Sequence, residues 1–118
     1  MLTAAQYRWV CAATVVVQLV VLYWPRAGSG GAVAGLDKVV HVAVFAAVGT
    51  SAVLAGARAG LVLMLLLGHA VVSELVQAGL LTQRSGDPWD VVADAVGAAL
   101  GVALGLWLGV AHTRRSGR

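Results

Sequence analysis

The sequence predicts an all-α membrane protein, a polytopic bundle of four helices, and two observations support this prediction. Hydrophobic residues make up 60% of the 118 residues and charged residues 11%, with a mean hydropathy of +0.90. A soluble domain of this length would need a polar surface, whereas a lipid-facing surface needs none. The apolar residues fall into four stretches. Each is long enough, at about 1.5 Å per residue, to cross a hydrocarbon core of about 30 Å.

The first helix is predicted near Tyr7–Trp24. Its apolar run ends in Tyr23 and Trp24, and such aromatic side chains favour the membrane interface. A secretory signal would be cut sooner after its apolar run, so we interpret this stretch as a retained helix. Cys11 is the single cysteine of the chain, which excludes an intramolecular disulfide.

The remaining helices complete a single domain of residues 1–118. They are predicted near Asp37–Gly56, Gly60–Leu81 and Trp89–Ala111. The link around residues 57–59 is so short that the second and third helices must be antiparallel neighbours. The fourth helix is preceded by Asp87-Pro88, an N-cap residue followed by proline at the first helical position.

Basic residues predict the orientation of the bundle. With the N-terminus in the cytoplasm, five basic residues fall on the inner side and three on the outer side, which is the bias expected of cytoplasmic segments. The inner group is Arg8, Arg58, Arg114, Arg115 and Arg118, and the outer group is Arg26, Lys38 and Arg84. Both termini are therefore predicted to be cytoplasmic. Because the net charge of +3 is scattered along the chain, it indicates membrane-flanking charge and no nucleic-acid partner.

The five acidic residues all lie toward the outer ends of their helices, and four of them fall between Glu74 and Gly97. Counted from the helix ends, Glu74 and Asp94 lie about 10 Å below the outer boundary and His41 about 6 Å below it. Ionisable side chains at such depth persist where they face each other, water or a ligand. We therefore predict an outward-facing polar pocket built by the last three helices. The acid/base candidates are Asp37, His41, Glu74, Asp90 and Asp94, and the ligand-binding candidates are Lys38, Gln77, Arg84 and Asp87.

Some of these polar residues also have structural explanations. Asp87 is placed to cap the fourth helix, and Asp90 in its first turn favours the helix dipole. For Glu74 and Asp94, the alternative to a functional role is a buried ion pair, with Lys38, His41 or Arg84 as partner. His69, near mid-membrane, is expected to bond to a neighbouring helix.

Small residues form a stripe on the fourth helix at Gly97, Gly101 and Gly105. This spacing lets another helix approach closely, so we interpret it as a packing surface. The same face is a candidate contact for a homo-oligomer or hetero-oligomer.

Taken together, these residues form an ordered set of motifs. They are Asp37-Lys38-x-x-His41, Glu74-x-x-Gln77, Arg84-x-x-Asp87 and Asp90-x-x-x-Asp94-x-x-Gly97. The set resembles the VanZ-like family of small bacterial membrane proteins, over about residues 37–101. The resemblance implies a protein of the bacterial cytoplasmic membrane. The family's founding member is linked to teicoplanin resistance and other members to envelope stress or lipopeptide antibiotics, with no settled biochemical activity.

Three functional hypotheses remain open. In the first, the pocket binds or modifies a membrane lipid or lipid-linked envelope intermediate, with anion contacts from Lys38 and Arg84 and proton transfer by His41 or Glu74. No cofactor is firmly implied; a divalent cation or a shared proton would each offset the excess of carboxylates. The second hypothesis is a structural or interaction protein. The third, a proton-coupled drug transporter, ranks last because the first helix offers Gln18 where such transporters have a carboxylate.

Overall fold

Four α-helices form the bundle. The computed structural model describes residues 1–24, 35–81 and 86–117. The helices are α1 (Ala4–Tyr23), α2 (Leu36–Leu54), α3 (Ala59–Gly79) and α4 (Pro88–Ser116). Each is long and apolar enough to cross a membrane, so the predicted all-α four-helix membrane fold is confirmed.

The helix ends differ from the predicted ones where local hydrogen bonding extends a helix. α1 begins at Ala4 because Thr3 and Gln6 form a capping box, with Thr3 Oγ1 accepting from the Gln6 backbone N–H and Gln6 Oε1 accepting from the Thr3 N–H. α4 continues to Ser116, beyond the predicted end near Ala111, and carries two arginines in its last turn that favour the helix dipole. Its 29 residues span about 43 Å, more than the hydrocarbon core requires.

Interhelical hydrogen bonds fix how the helices are arranged. Gln77 Nε2 near the end of α3 donates to the Leu22 carbonyl near the end of α1, at 2.8 Å. Thr14 of α1 lies beside Ser51 of α2, with their hydroxyl oxygens 3.1 Å apart. The helices therefore alternate in direction, so α2 and α4 run parallel to each other and antiparallel to α1 and α3.

The closest helix pair is α2 with α4, and glycine makes it possible. A Cβ atom built on Gly101 would lie 2.3 Å from the Ala46 carbonyl oxygen, and one on Gly97 would lie 2.4 Å from the Val42 carbonyl oxygen. Thr50 Oγ1 also donates to the Gly101 carbonyl at 3.0 Å. The prediction that the glycine stripe is a packing surface is therefore confirmed.

This packing corrects the predicted location of an oligomer contact. Gly97, Gly101 and Gly105 are buried against α2 within the same chain, so their face is not available to a second molecule. A partner would have to bind another surface, and oligomerisation itself stays a prediction.

A small apolar core holds the helices together below the polar end. Leu22 of α1, Phe45 of α2 and Ala98 of α4 are fully buried, and α3 adds Val62 and Leu66. Large apolar side chains are exposed on every helix, and the most exposed include Trp9, Val39, Met64, Leu75 and Trp107. Lipid would cover this outer surface, as expected of a bundle that spans a membrane.

Candidate functional site

The acidic site lies at one end of the bundle, where α2 and α4 begin and α3 ends. We define it as Asp37, Lys38, His41, Glu74, Asp87, Asp90 and Asp94. All seven are site residues predicted from the sequence, and the structure brings them together in two layers. Asp37, Lys38 and Asp87 form a half-exposed outer layer, whereas His41, Glu74, Asp90 and Asp94 are buried beneath it.

Lys38 organises the outer layer. Its Nζ atom lies 2.8 Å from Asp87 Oδ2, 3.1 Å from Asp90 Oδ1 and 3.6 Å from Asp37 Oδ2. Asp87 also caps α4, since its Oδ1 accepts from the Trp89 backbone N–H at 3.0 Å. The predicted helix-capping role of Asp87 is therefore confirmed. Lys38 contacts three carboxylates of its own chain, and its contact with an anionic ligand stays a prediction.

Replacing Lys38 with methionine is expected to lower the thermal melting temperature by several degrees at pH 7, and this deficit should shrink as the pH falls below 3.8, the ordinary pKa of Asp87. The Lys38 ammonium holds the pKa of Asp87 below its ordinary value of 3.8. A depressed carboxyl pKa contributes stability that is complete above the ordinary value and is lost as the pH falls through the folded-state value. Circular dichroism melts between pH 3 and pH 7 would measure this difference.

The matched control for that experiment is Arg58→Met, which removes one positive charge from the exposed turn between α2 and α3. It should melt like the wild type throughout the range. A Lys38→Met deficit that did not shrink on acidification would contradict the ion-pair explanation.

Beneath Lys38, His41 and Asp94 form a buried pair. His41 Nδ1 lies 2.7 Å from Asp94 Oδ1, and the two residues are 2% and 0% exposed. Asp94 is six residues into α4, which places it about 9 Å along the helix axis from Pro88. With Asp94 ionised, Nδ1–H donates to the carboxylate, and this bond fixes the orientation of the imidazole ring. His41 was one of the partners that the sequence suggested for Asp94.

Glu74 joins α3 to the start of α4. Its Oε1 atom accepts from the backbone N–H of Asp87, and the residue is 9% exposed. Glu74 lies within electrostatic range of His41, Asp90 and Asp94. Its second oxygen, Oε2, is buried without a hydrogen-bond partner, as is Oδ2 of Asp94. Two buried carboxylates of the site therefore each have one unused acceptor.

Gln77 and His69 bind neighbouring helices. Gln77, a predicted ligand contact, is 2% exposed and donates to the Leu22 carbonyl of α1. His69 Nε2 lies 3.0 Å from the Tyr23 hydroxyl, and its ring stacks on Phe45. The expected bond from His69 to a neighbouring helix is thus confirmed. The partner of His69 is Tyr23, which was predicted only to lie at the membrane interface.

Arg84, a predicted anion contact, lies outside the residues that the structure describes. Within residues 1–24, 35–81 and 86–117, no three His, Cys, Asp or Glu side chains are grouped closely enough to hold a metal ion. A divalent cation therefore gains no support from the described part of the site.

The chain matches no family model, no curated protein and no solved structure. The chemistry of the site therefore has to be inferred from its own geometry. That geometry offers a buried proton-carrying pair, His41 with Asp94, and unused carboxylate acceptors on Glu74 and Asp94, at the end of the bundle where α2 and α4 begin.

Proposed function

We propose that this chain is a VanZ-like protein of the bacterial cytoplasmic membrane that binds or modifies a lipid-linked or amphiphilic envelope molecule at the acidic site. In this proposal both termini are cytoplasmic and the site faces the outer leaflet. Resistance to teicoplanin-type antibiotics is a phenotype that such an activity would produce. The proposal rests on the motif resemblance and on the placement of its residues at one end of the bundle.

The observation that supports a ligand most directly is the pair of unused acceptors on Glu74 and Asp94. Buried polar atoms are almost always hydrogen-bonded, because a missing partner costs about 1–3 kcal/mol. A network that served only to join helices would use both oxygens of a carboxylate that is 0% exposed. The unused acceptors are therefore best explained by a ligand or by water held for a reaction.

In a modification reaction, His41 would transfer the proton. Histidine changes protonation near neutral pH, and the Asp94 carboxylate at Nδ1 would hold the ring in one orientation during the transfer. Glu74 and Asp94 would orient the polar group of the substrate, while its apolar part remains beside the exposed hydrophobic side chains in lipid.

Replacing His41 with asparagine is expected to remove this chemistry, because positioned acid/base groups contribute about 100-fold or more to a rate. Lipids would be extracted from cells that express the wild type, His41→Asn or no protein, and compared by mass spectrometry. The expected result is a species that changes severalfold with the wild type and not with the variant.

His112→Asn is the matched control, since His112 is exposed near the opposite end of α4. All proteins must reach the membrane at equal levels. A lipid change that persists in His41→Asn would rule out the proposed role of His41.

One observation favours a second candidate, a non-enzymatic structural or interaction protein. The polar contacts tie all four helices together. Lys38 joins α2 to Asp87 and Asp90 at the start of α4, Gln77 joins α3 to α1, and the Thr14 and Ser51 hydroxyls join α1 to α2. In that case His41→Asn would change stability while leaving lipid composition and any resistance phenotype unchanged.

A further inference from the structure

We infer that the acidic site takes the primary ammonium group of an amine-bearing amphiphile, held between Glu74 of α3 and Asp94 of α4. This inference rests on the proposed function and names the chemical class of its ligand. It reverses the sign of the ligand charge expected from the sequence, where Lys38 and Arg84 suggested an anionic headgroup.

The unused atoms of the buried layer determine what kind of group would fit. Glu74 Oε2 and Asp94 Oδ2 are both acceptors, and each belongs to a carboxylate whose other oxygen is already bonded within the site. The residues are 9% and 0% exposed. The missing partner must therefore supply hydrogens, which a deprotonated phosphate or carboxylate group and an ether or ester oxygen cannot do.

The charge of the site favours a cation for the same role. The described residues of the site include five carboxylates and one permanent cation, Lys38. Lys38 already contacts Asp37, Asp87 and Asp90, so its positive charge is directed at the outer layer. Glu74 and Asp94 in the buried layer have no comparable cation among the described residues, apart from His41 when it is protonated.

A shared proton would supply one donor to the two carboxylates and would lower their negative charge by one unit. An ammonium group instead brings three donors and a positive charge together. Its three N–H donors outnumber the two unused acceptors, which leaves one for water or for the phosphate of the same molecule.

A series of lipids that differ only in nitrogen methylation tests this inference. Phosphatidylethanolamine and its monomethyl, dimethyl and trimethyl derivatives carry three, two, one and no N–H donors on the same charged nitrogen. Binding to the purified full chain would be measured by native mass spectrometry, with phosphatidylglycerol of the same acyl chains as the anionic comparison. We expect the apparent affinity to fall at each methylation, about tenfold or more in total.

Site-directed variants test whether Glu74 and Asp94 bind the ammonium group. Glu74→Gln keeps the shape of the side chain at the edge of the buried layer. It should lose most of the difference in affinity between phosphatidylethanolamine and its trimethyl derivative. The Glu74→Gln, Asp94→Asn double variant should lose all of it. His112→Asn should retain the wild-type order. Circular dichroism would confirm that each variant is folded.

The outcomes separate this inference from the function on which it rests. Preferred binding of phosphatidylglycerol that depends on Glu74 and Asp94 would overturn the ammonium inference and leave a lipid-binding site. Equal binding of all four methylation states would overturn it as well, since hydrogen donation would then play no part. No lipid preference in the wild type, together with an unchanged cellular lipid profile, would overturn both.

Discussion

Gly101→Leu is expected to prevent α2 and α4 from packing and so to abolish the folded protein. A single Cβ atom at this position would lie 2.3 Å from the Ala46 carbonyl oxygen and 2.7 Å from Ala46 Cα. Overpacking a core usually costs about 1–3 kcal/mol because flexible side chains move aside. The atoms met here are backbone atoms of a helix, so we expect a larger cost. Size-exclusion chromatography in mild detergent would show loss of the monodisperse species.

The matched control is Gly109→Leu, on the same helix and with no atom within 4 Å of the added Cβ. This variant should purify and melt like the wild type, because its side chain would point into open space. Gly101→Ala should fall between the two. Equal folding of Gly101→Leu and Gly109→Leu would mean that α2 and α4 do not approach as described.

Asp94→Ala is expected to destabilise the bundle by about 3 kcal/mol, because it leaves His41 buried without its carboxylate. Removing both residues, as Asp94→Ala with His41→Leu, should cost less than the two single changes combined. Hydrogen bonds between helices in membranes average about 0.6 kcal/mol of coupling. We expect the His41–Asp94 coupling to exceed this value, since hydrogen bonds to a carboxylate are stronger than neutral ones and the pair is almost fully buried. Denaturant titration of the four proteins would measure it.

A neutral hydrogen bond elsewhere in the bundle supplies the control cycle. The Thr14 and Ser51 hydroxyls bridge α1 and α2 at 3.1 Å. Replacing each with alanine, singly and together, should give a coupling near the membrane average of about 0.6 kcal/mol. Similar couplings for the two pairs would contradict an ionic contribution from His41 and Asp94.

The fold was predictable because lipid imposes a simple rule. Apolar stretches of sufficient length become helices, and their ends can be read within a few residues, as for α2 and α3. Counting residues along each helix predicted that Asp94 and His41 lie at similar levels of the bundle, and the structure brings them together. Their direct pairing did not follow, because helix rise places residues at a level without fixing which neighbour each one faces.

The contacts between helices could not be predicted from the sequence. Lys38 was predicted to contact a ligand, and the structure adds contacts with Asp87 and Asp90 at the start of the parallel helix α4. Gln77 donates to the Leu22 carbonyl in the last turn of α1, where helix geometry leaves carbonyls to be bonded from outside the helix. A pattern along one helix does not show which carbonyl of another lies beside it. The glycine spacing indicated close packing, but the identity of the partner helix came only from the structure.

The pairing of α2 with α4 also affects how the protein is made. α2 enters the membrane before α4 is synthesised, and until then His41 lacks its carboxylate and Lys38 has Asp37 as its one neighbour among the contacts described. Ionisable side chains are costly in lipid until they meet the groups that they contact in the folded protein. Insertion of α4 supplies Asp87, Asp90 and Asp94 at once. The acidic site is therefore completed in the same step of biogenesis as the helix bundle itself.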